Sequence, residues 1–371
     1  MRVVIIGAGA SGLACAIRIK QNMPDAEVIV LERLSVAGKK ILATGNGRCN
    51  LTNTAAENYN EVKDFFNSLG LMLRLDESGR AYPYSSKAQT VVDILLEACA
   101  KTGVEIITDC TVQRIDGDLT VYTDSGIFSA DAVVAATGGK AQSALGSDGS
   151  GYGLLKALGH SVTPLSPSLV QLKSSSKYPR KISGTRAKCR ISLELDGEIA
   201  AEELGEILFT DYGLSGIAVM NLSEIAGRNF ACDNPKKCVA VIDLIPELSE
   251  AEIKNHLEKF GSLTGILGAA LNGIIMKQAE NDFERAAKYA KGWRLIITGT
   301  KGFDFAQITC GGIPENEVNN FESCKVENLY ICGELLDRQF ECGGFNLDFA
   351  WHSGITAADK ICDKHREMTN D

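Results

Sequence analysis

The strongest constraint on what this chain folds into lies in its first 32 residues. Val3–Ile6 is an unbroken β-branched run, the composition of a strand buried on both faces of a parallel sheet. Gly7-Ala8-Gly9-Ala10-Ser11-Gly12 follows at once, and Leu13 to Gln21 carries apolar residues at helical spacing. Pro24 lies past that helix, and Val28–Leu31 is a second apolar run that closes on Glu32. Strand, helix and strand within about thirty residues form a βαβ unit. In that setting G-x-G-x-x-G is a dinucleotide-binding turn. Gly7 permits the bend, Gly9 lets backbone approach a pyrophosphate, and Gly12 lets helix and strand pack closely. The helix N-terminus offers unpaired N–H groups and a partial positive charge to the phosphates. Glu32, twenty residues after Gly12, is placed to accept ribose hydroxyls and to repel a 2'-phosphate. The expected ligand is FAD or NAD(H), with NADP disfavoured at this turn.

Composition narrows the class further. The 371 residues allow two or three domains, and a net charge of -9 leaves no positive surplus to neutralise nucleic-acid phosphates. The chain has 37 glycines against 8 prolines, and the glycines cluster where backbone must come close to something. Twelve cysteines contain no Cys-x-x-Cys pair, so neither a metal site nor a thioredoxin-like dithiol is expected. Free, mostly buried thiols in a reducing cytoplasm are the expectation. No apolar stretch reaches the roughly 18 residues of a membrane span. Oligomeric state has no signal in the sequence.

Along the chain, Gly38 to Asn53 reads as a polar loop, Val91 to Lys101 as a helix and Val104 to Thr108 as a buried strand. Thr111 to Ala136 alternates and turns at Asp116-Gly117 and Ser125-Gly126, an antiparallel meander ending in Ala132 to Ala136. The character changes after His160. Ala187–Glu194 and Glu198–Thr210 read as strands, and Leu248 to Lys291 as mainly helical with a solvated charged face. From Phe305 the earlier style returns, with a strand over Leu329–Cys332, a turn at Gly333-Glu334 and a closing helix from Leu347 to Lys364. Residues 1–165 and 306–371 are thus expected to form one nucleotide-binding domain, with 166–305 inserted (β-rich over 166–245, helical over 246–292).

This layout separates the two dinucleotides. An NAD dehydrogenase would run on through parallel strands, whereas here a meander leads to Thr137-Gly138-Gly139 and a final helix starts after Gly343-Gly344. Such a helix points its N-terminal N–H groups at a flavin ring and stabilises negative charge on it. Only one dinucleotide fingerprint exists, so a reducing nicotinamide, NADH or NADPH, would bind transiently.

The run from Gly38 through Ala43-Thr44-Gly45-Asn46-Gly47-Arg48-Cys49-Asn50-Leu51-Thr52-Asn53 resembles the signature of the bacterial flavoproteins that include bile-acid 4,6-enone reductase and aminoacetone oxidase. Gly79 to Pro83, Ala136 to Lys140, Gly205 to Thr210, Gly213 to Gly216, Gly311-Gly312 and Leu329 to Gly354 match as well, so the resemblance spans nearly the whole chain. It implies an α/β fold: an FAD-binding, Rossmann-like domain of the glutathione reductase type with an inserted domain of β-strands and helices. It also implies that Gly9, Ala10, Ser11 and Gly12 hold pyrophosphate and that Glu32, beside Arg33, holds ribose. Lys39, Lys40, Thr44, Gly45, Arg48, Cys49 and Asn50 would wrap phosphates and flavin, and Thr137, Gly138, Gly333, Glu334, Asn346 and Leu347 would complete the site. Val112, just after the third parallel strand, is expected to meet adenine through its backbone. Ser150, Ile217 and Arg338 depart from the family pattern, and Arg338 lies near the expected flavin face.

For catalysis, Arg80, Tyr82 and Tyr212 are the polar candidates: an arginine to hold a carboxylate, a tyrosine to donate a proton to a developing enolate. His160 reads as a helix-terminal cation, His352 as a helix-packing or surface residue, and His256 and His365 as exposed. Cys49, Cys310 and Cys342 read as passive packing. The resulting expectation is an FAD-dependent oxidoreductase acting on a small to medium organic substrate, most simply by reducing a C=C bond next to a carbonyl. An amine or amino-ketone oxidase using oxygen, a non-catalytic dinucleotide sensor and an RNA-modifying flavoprotein are the alternatives.

Overall fold

The computed structural model describes residues 1–370. The chain divides into two compact units, Met1–Leu165 with Gly311–Asp371, and Ser166–Cys310. The second border falls after Cys310 rather than after residue 305, because the strand Ile308–Cys310 pairs with Ser166–Ser168 and so stays with the inserted unit.

The first unit is built on a parallel sheet. Its first strand, Arg2–Ile6, lies between Glu27–Leu31 and Ala132–Ala135, with Val4 opposite Ile29 and Val133. Leu329–Ile331 and Glu105–Ile107 extend the sheet on either side, also in parallel, and two short antiparallel strands close one edge. Val3, Val4 and Ile5 have no exposed surface, as their unbroken apolar run requires when both faces are covered. One face carries the helix Ala10–Asn22 and the final helix Phe345–Asn370; Leu13, Ile17, Trp351, Ala358 and Ile361 lie in that core. Over the other face Ile115, Val121, Leu155 and Phe349 form a second cluster with the sheet.

Two expectations change here. The meander has three strands, Val112–Ile115, Thr120–Thr123 and Ile127–Ser129, which form a sheet of their own; Ala132–Ala135 instead joins the parallel sheet beside the first strand. An all-apolar run that is buried on both faces fits the middle of a parallel sheet better than a meander edge. The expected polar loop at 38–53 folds into a short helix, Lys39–Ala43, a one-turn 3-10 segment, Thr44–Gly47, and a two-residue strand, Thr52–Asn53. Burial of Ile41, Cys49 and Leu51 fastens this polar segment to the core.

The second unit is a closed antiparallel barrel of six strands. Arg186–Leu195 and Glu198–Phe209 are its longest pair, joined by Asp196-Gly197 with φ of 53° and 94°. Asp-Gly with both residues left-handed is the two-residue hairpin turn whose twist matches that of the strands. Closure comes from Leu172–Ser174, which pairs with both Gly213–Ser215 and Trp293–Thr300. Ile191, Phe209, Ile242, Trp293 and Leu295 fill the interior. A helix, Ile217–Ala231, interrupts the stretch expected to be β-rich. The expected helical stretch consists of Glu250–Phe260, Ala269–Gln278 and Phe283–Lys291. Its charged face is solvated and self-paired: Glu284 bridges Lys254 at 3.6 Å and Lys288 at 3.0 Å. Among the described residues no helix is long and apolar enough to cross a membrane.

Candidate functional site

The turn after the first strand is shaped by contacts that leave no room for side chains. A Cβ on Gly12 would stand 2.0 Å from the Gly7 carbonyl oxygen, so the helix sits directly on the turn. Around Gly9, by contrast, a Cβ would meet nothing within 4 Å, which leaves open space at the helix N-terminus where Gly9 is the cap. Close packing behind the turn and free approach in front of it suit a pyrophosphate. Ser11 is buried, and its hydroxyl lies 2.8 Å from where a Cβ on Gly333 would stand.

Glu32 closes the next strand and turns its carboxylate back on the fingerprint. Oε2 accepts the Ala8 N–H and Oε1 the Leu34 N–H, both at 2.9 Å. Each oxygen keeps a lone pair for a further donor such as a ribose hydroxyl. Arg33 is directed elsewhere, to the Gly146 carbonyl at 3.3 Å and to Asp148 at 3.4 Å. Val112 begins the meander, two residues beyond Cys110, whose N–H bonds the Glu32 carbonyl.

The signature segment supplies the next wall. Lys39 is exposed, and Lys40 Nζ pairs with Glu334 Oε2 at 2.8 Å, joining two expected site residues nearly 300 positions apart. The Thr44 hydroxyl donates to the Ile41 carbonyl at 2.6 Å. Gly45 and Asn46 are left-handed, and the exposed Arg48 guanidinium stacks 4.7 Å from the Tyr82 ring centroid. Cys49 is fully buried, and burial pushes its thiol up to about 12 against the opposing pull of the Thr44 hydroxyl, so it is a packing residue and not a thiolate. Asn50 Oδ1 is buried with no hydrogen-bond partner. An orphaned acceptor 2.9 Å from where a Cβ on Gly344 would stand, just before the final helix, fits a ligand that brings its own N–H or O–H donor, as a flavin does.

Further along, Thr137 and Gly138 end the central parallel strand, and Gly333 N–H donates to Ser353 Oγ at 2.9 Å. Asn346 turns back on its own loop, accepting the Phe340 N–H at 3.0 Å and donating to the Phe340 carbonyl at 2.8 Å. Leu347 is half-buried in the first turn of the final helix.

Of the catalytic candidates, Arg80 and Tyr82 share the strand Arg80–Pro83, paired with Thr52–Asn53. Tyr212 belongs to the other unit, where Lys301 Nζ stands 4.5 Å from its ring centroid. Arg338 is held by Glu57 at 3.2 Å and Glu315 at 3.3 Å and lies over Phe349.

His160 lies three residues past the helix Ser150–Ala157. Its side chain is buried, with Nδ1 2.8 Å from Glu317 Oε2 and Nε2 2.8 Å from Ser323 Oγ. Ser323 Oγ already accepts the Lys325 and Val326 N–H groups. His352 is bonded to Glu61 at 2.6 Å, and His256 and His365 are half-buried rather than exposed.

Several residues of this region were not among the expected site residues. Thr52, Asn53, Asp348, Trp351 and Ser353 bind the signature segment, the Gly333 turn and the final helix to one another. Asp348 alone had an indicator, as an acid in the first turn of a helix that follows Gly-Gly.

The family described as HI0933-like protein Rossmann domain matches residues 1–360. The 3-dehydro-bile acid delta(4,6)-reductase of Clostridium scindens is 35% identical, over 96% of this chain and 98% of that protein. The ribosomal RNA dihydrouridine synthase of Escherichia coli is 28% identical over 96% of this chain and 97% of its own. Among solved structures, the open conformation of a flavocytochrome c3 fumarate reductase superposes with a TM-score of 0.54 at 15% identity, over 98% of this chain and 78% of that one, a likeness of fold.

Proposed function

Since the chain belongs to the HI0933-like Rossmann family and is an FAD-dependent oxidoreductase, we propose that it reduces a C=C bond conjugated to a carbonyl in a small to medium organic molecule. The observation that carries this reading is the chemistry shared by the two relatives. One is named for removing the 4,6 unsaturation of a 3-dehydro bile acid, the other for making dihydrouridine. In both, the saturated bond is conjugated to a carbonyl. The bound flavin supplies the hydride.

What the protein itself does follows from its own residues. The Gly7–Gly12 turn and the helix behind it bind phosphate through backbone N–H groups. Glu32 orients the ribose through the acceptor capacity left on its two oxygens. The N-terminal N–H groups of Phe345, Asn346 and Leu347 would hold a flavin ring at that helix end and would stabilise negative charge on it. Arg80 is the candidate holder of a substrate carboxylate, and Tyr82, on the same strand, is the candidate donor of the proton that the α-carbon takes up. NADH or NADPH is the proposed electron donor. It would bind without a fold of its own, because the chain has a single dinucleotide fingerprint.

Anaerobic stopped flow tests this. The protein should purify yellow and release FAD on denaturation, and its photoreduced flavin should be reoxidised by an enone. Reduction of the oxidised flavin by an amine or amino-ketone, with no reoxidation by enones, would establish the oxidase instead. Reoxidation by uridine-containing RNA but not by small enones would move the substrate class to RNA.

A further inference from the structure

Two segments nearly 300 residues apart are bolted together beside the candidate flavin site. Asp348, in the first turn of the final helix, accepts the Thr52 hydroxyl on Oδ1 and the Asn58 side-chain N–H on Oδ2, the latter at 3.1 Å. Asn53 Nδ2 donates to the Gly343 carbonyl at 3.0 Å, and Trp351 Nε1 donates to the Leu51 carbonyl at 3.2 Å. The core of this set is dry: Thr52, Leu51 and Trp351 have no exposed surface and Asp348 has 2%, while Asn58 is half-buried. The segment so held contains Asn50, whose orphaned Oδ1 lies 2.9 Å from where a Cβ on Gly344 would stand. Asn50 therefore aims its unpaired acceptor at the N-terminal turn of the final helix.

A buried carboxyl at this place needs a reason. Its bonded partners are neutral, and burial pushes it above the ordinary carboxylate range in spite of Thr52, Asn58 and the charge of His352 four residues on. The ionisable group that acts on it is His352 on the same helix, itself bonded to Glu61 of the helix Tyr59–Ser68. Neither is a hydrogen-bonded counter-charge for Asp348. A side chain that brings such a desolvation cost is retained for geometry: it takes one hydroxyl and one amide donor at once, from two different elements.

We propose that Asp348 is a positioning residue of the flavin site, clamping Thr52 and Asn58 so that the Asn50 side-chain oxygen stays at the mouth of the final helix as an acceptor for the bound flavin. The inference rests on the flavin reading above. Thr52 acts only through Asp348, since that carboxylate takes its hydroxyl proton.

The test is FAD titration of the apoprotein, followed by tryptophan quenching, for wild type, Asp348→Ala, Asp348→Asn, Thr52→Val and the Thr52→Val/Asp348→Ala double variant. Asp348→Ala should weaken FAD binding at least tenfold, and the double variant should be no weaker than Asp348→Ala alone. Asp348→Asn should stay within about threefold of wild type, because its amide oxygen keeps the Thr52 bond and the Asn58 amide can turn over. Thr52→Val, isosteric but unable to donate, should shift the visible band of the flavin it retains, which loss of general stability alone does not do. Folded Asp348→Ala with wild-type affinity, or effects of Thr52→Val and Asp348→Ala that multiply, would overturn the clamp. Should Asp348→Ala fail to fold, Thr52→Val decides: an unchanged affinity and an unchanged band refute the proposal. A wild-type protein that binds no FAD refutes the flavin reading, and the clamp with it.

Discussion

Replacing Glu32 by alanine probes the best-defined polar contact of the site, and its cost can be worked out before any ligand is added. The carboxylate satisfies two backbone donors at 2.9 Å, Ala8 and Leu34. Ala8 is 1% exposed, so its N–H has no access to water once the carboxylate is gone. A charge-assisted hydrogen bond is worth about 1.5–3 kcal/mol, and an orphaned buried donor costs about 1–3 kcal/mol. Leu34 is only half-buried and recovers part of its loss from solvent. The sum is about 3 kcal/mol for the apoprotein. The unit that holds Glu32 has more than two hundred residues, so the melting temperature should fall by roughly 6–12 °C. Binding adds a second loss, since the ribose hydroxyls lose their acceptor: a further about 1.4–2.8 kcal/mol, or 10- to 100-fold in FAD affinity. Calorimetry of the apoprotein and FAD titration of the same sample separate the two. Glu32→Gln should fall between, because its amide oxygen serves one N–H while its NH2 faces the other. An apoprotein of Glu32→Ala that melts within 1 °C of wild type would refute the structural half of this reasoning, and an unchanged FAD affinity the ligand half.

Other expectations are briefer. Gly12→Ala places a Cβ 2.0 Å from the Gly7 carbonyl oxygen. The helix must lift off the turn, at about 1–3 kcal/mol or more, with a lower melting temperature and lost FAD as the readouts. Cys49, with its thiol at about 12, should resist iodoacetamide at neutral pH while the exposed Cys232 and Cys324 react, as peptide mass mapping will show. In the barrel unit, the hydrogen bond from Arg294 holds Glu194 below the ordinary carboxylate range. A depressed carboxyl contributes stability above its unfolded value and loses it as pH falls through its folded one. Glu194→Gln should therefore cost about 1 kcal/mol at pH 7, and the difference from wild type should vanish in acid denaturation well below pH 4. A difference that persists at low pH would assign the effect to packing.

How much of this was legible beforehand depends on the range of the interaction. The fingerprint, its flanking strands and Glu32 are set by residues within 32 positions of one another, and each carries a period, a turn residue or a spacing. The two strands read over Ala187–Glu194 and Glu198–Thr210 are local in the same way, and they pair as the longest strands of the barrel. The segment at 38–53 reads as a loop because its glycines and polar residues outnumber the apolar ones, Ile41, Leu42, Cys49 and Leu51, that tie it to the core. The burial of His160 left no trace nearby, because its partners Glu317 and Ser323 lie more than 150 positions away.

The amino-acid sequence by itself determined the dinucleotide-binding fingerprint, the strand and helix that flank it, and that a second unit interrupts the first. It also carried the family signature. Tertiary structure alone decided which strands lie side by side, that six strands of the inserted unit close into a barrel, and that Thr52, Asn53 and Leu51 are fastened to Asp348, Gly343 and Trp351. The physical reason is that dihedral preference and hydrophobic period are local properties of a chain. Satisfying a buried donor across nearly 300 residues is not: the partner is chosen by whatever the packed core brings within 3 Å, and no repeat along the sequence records it.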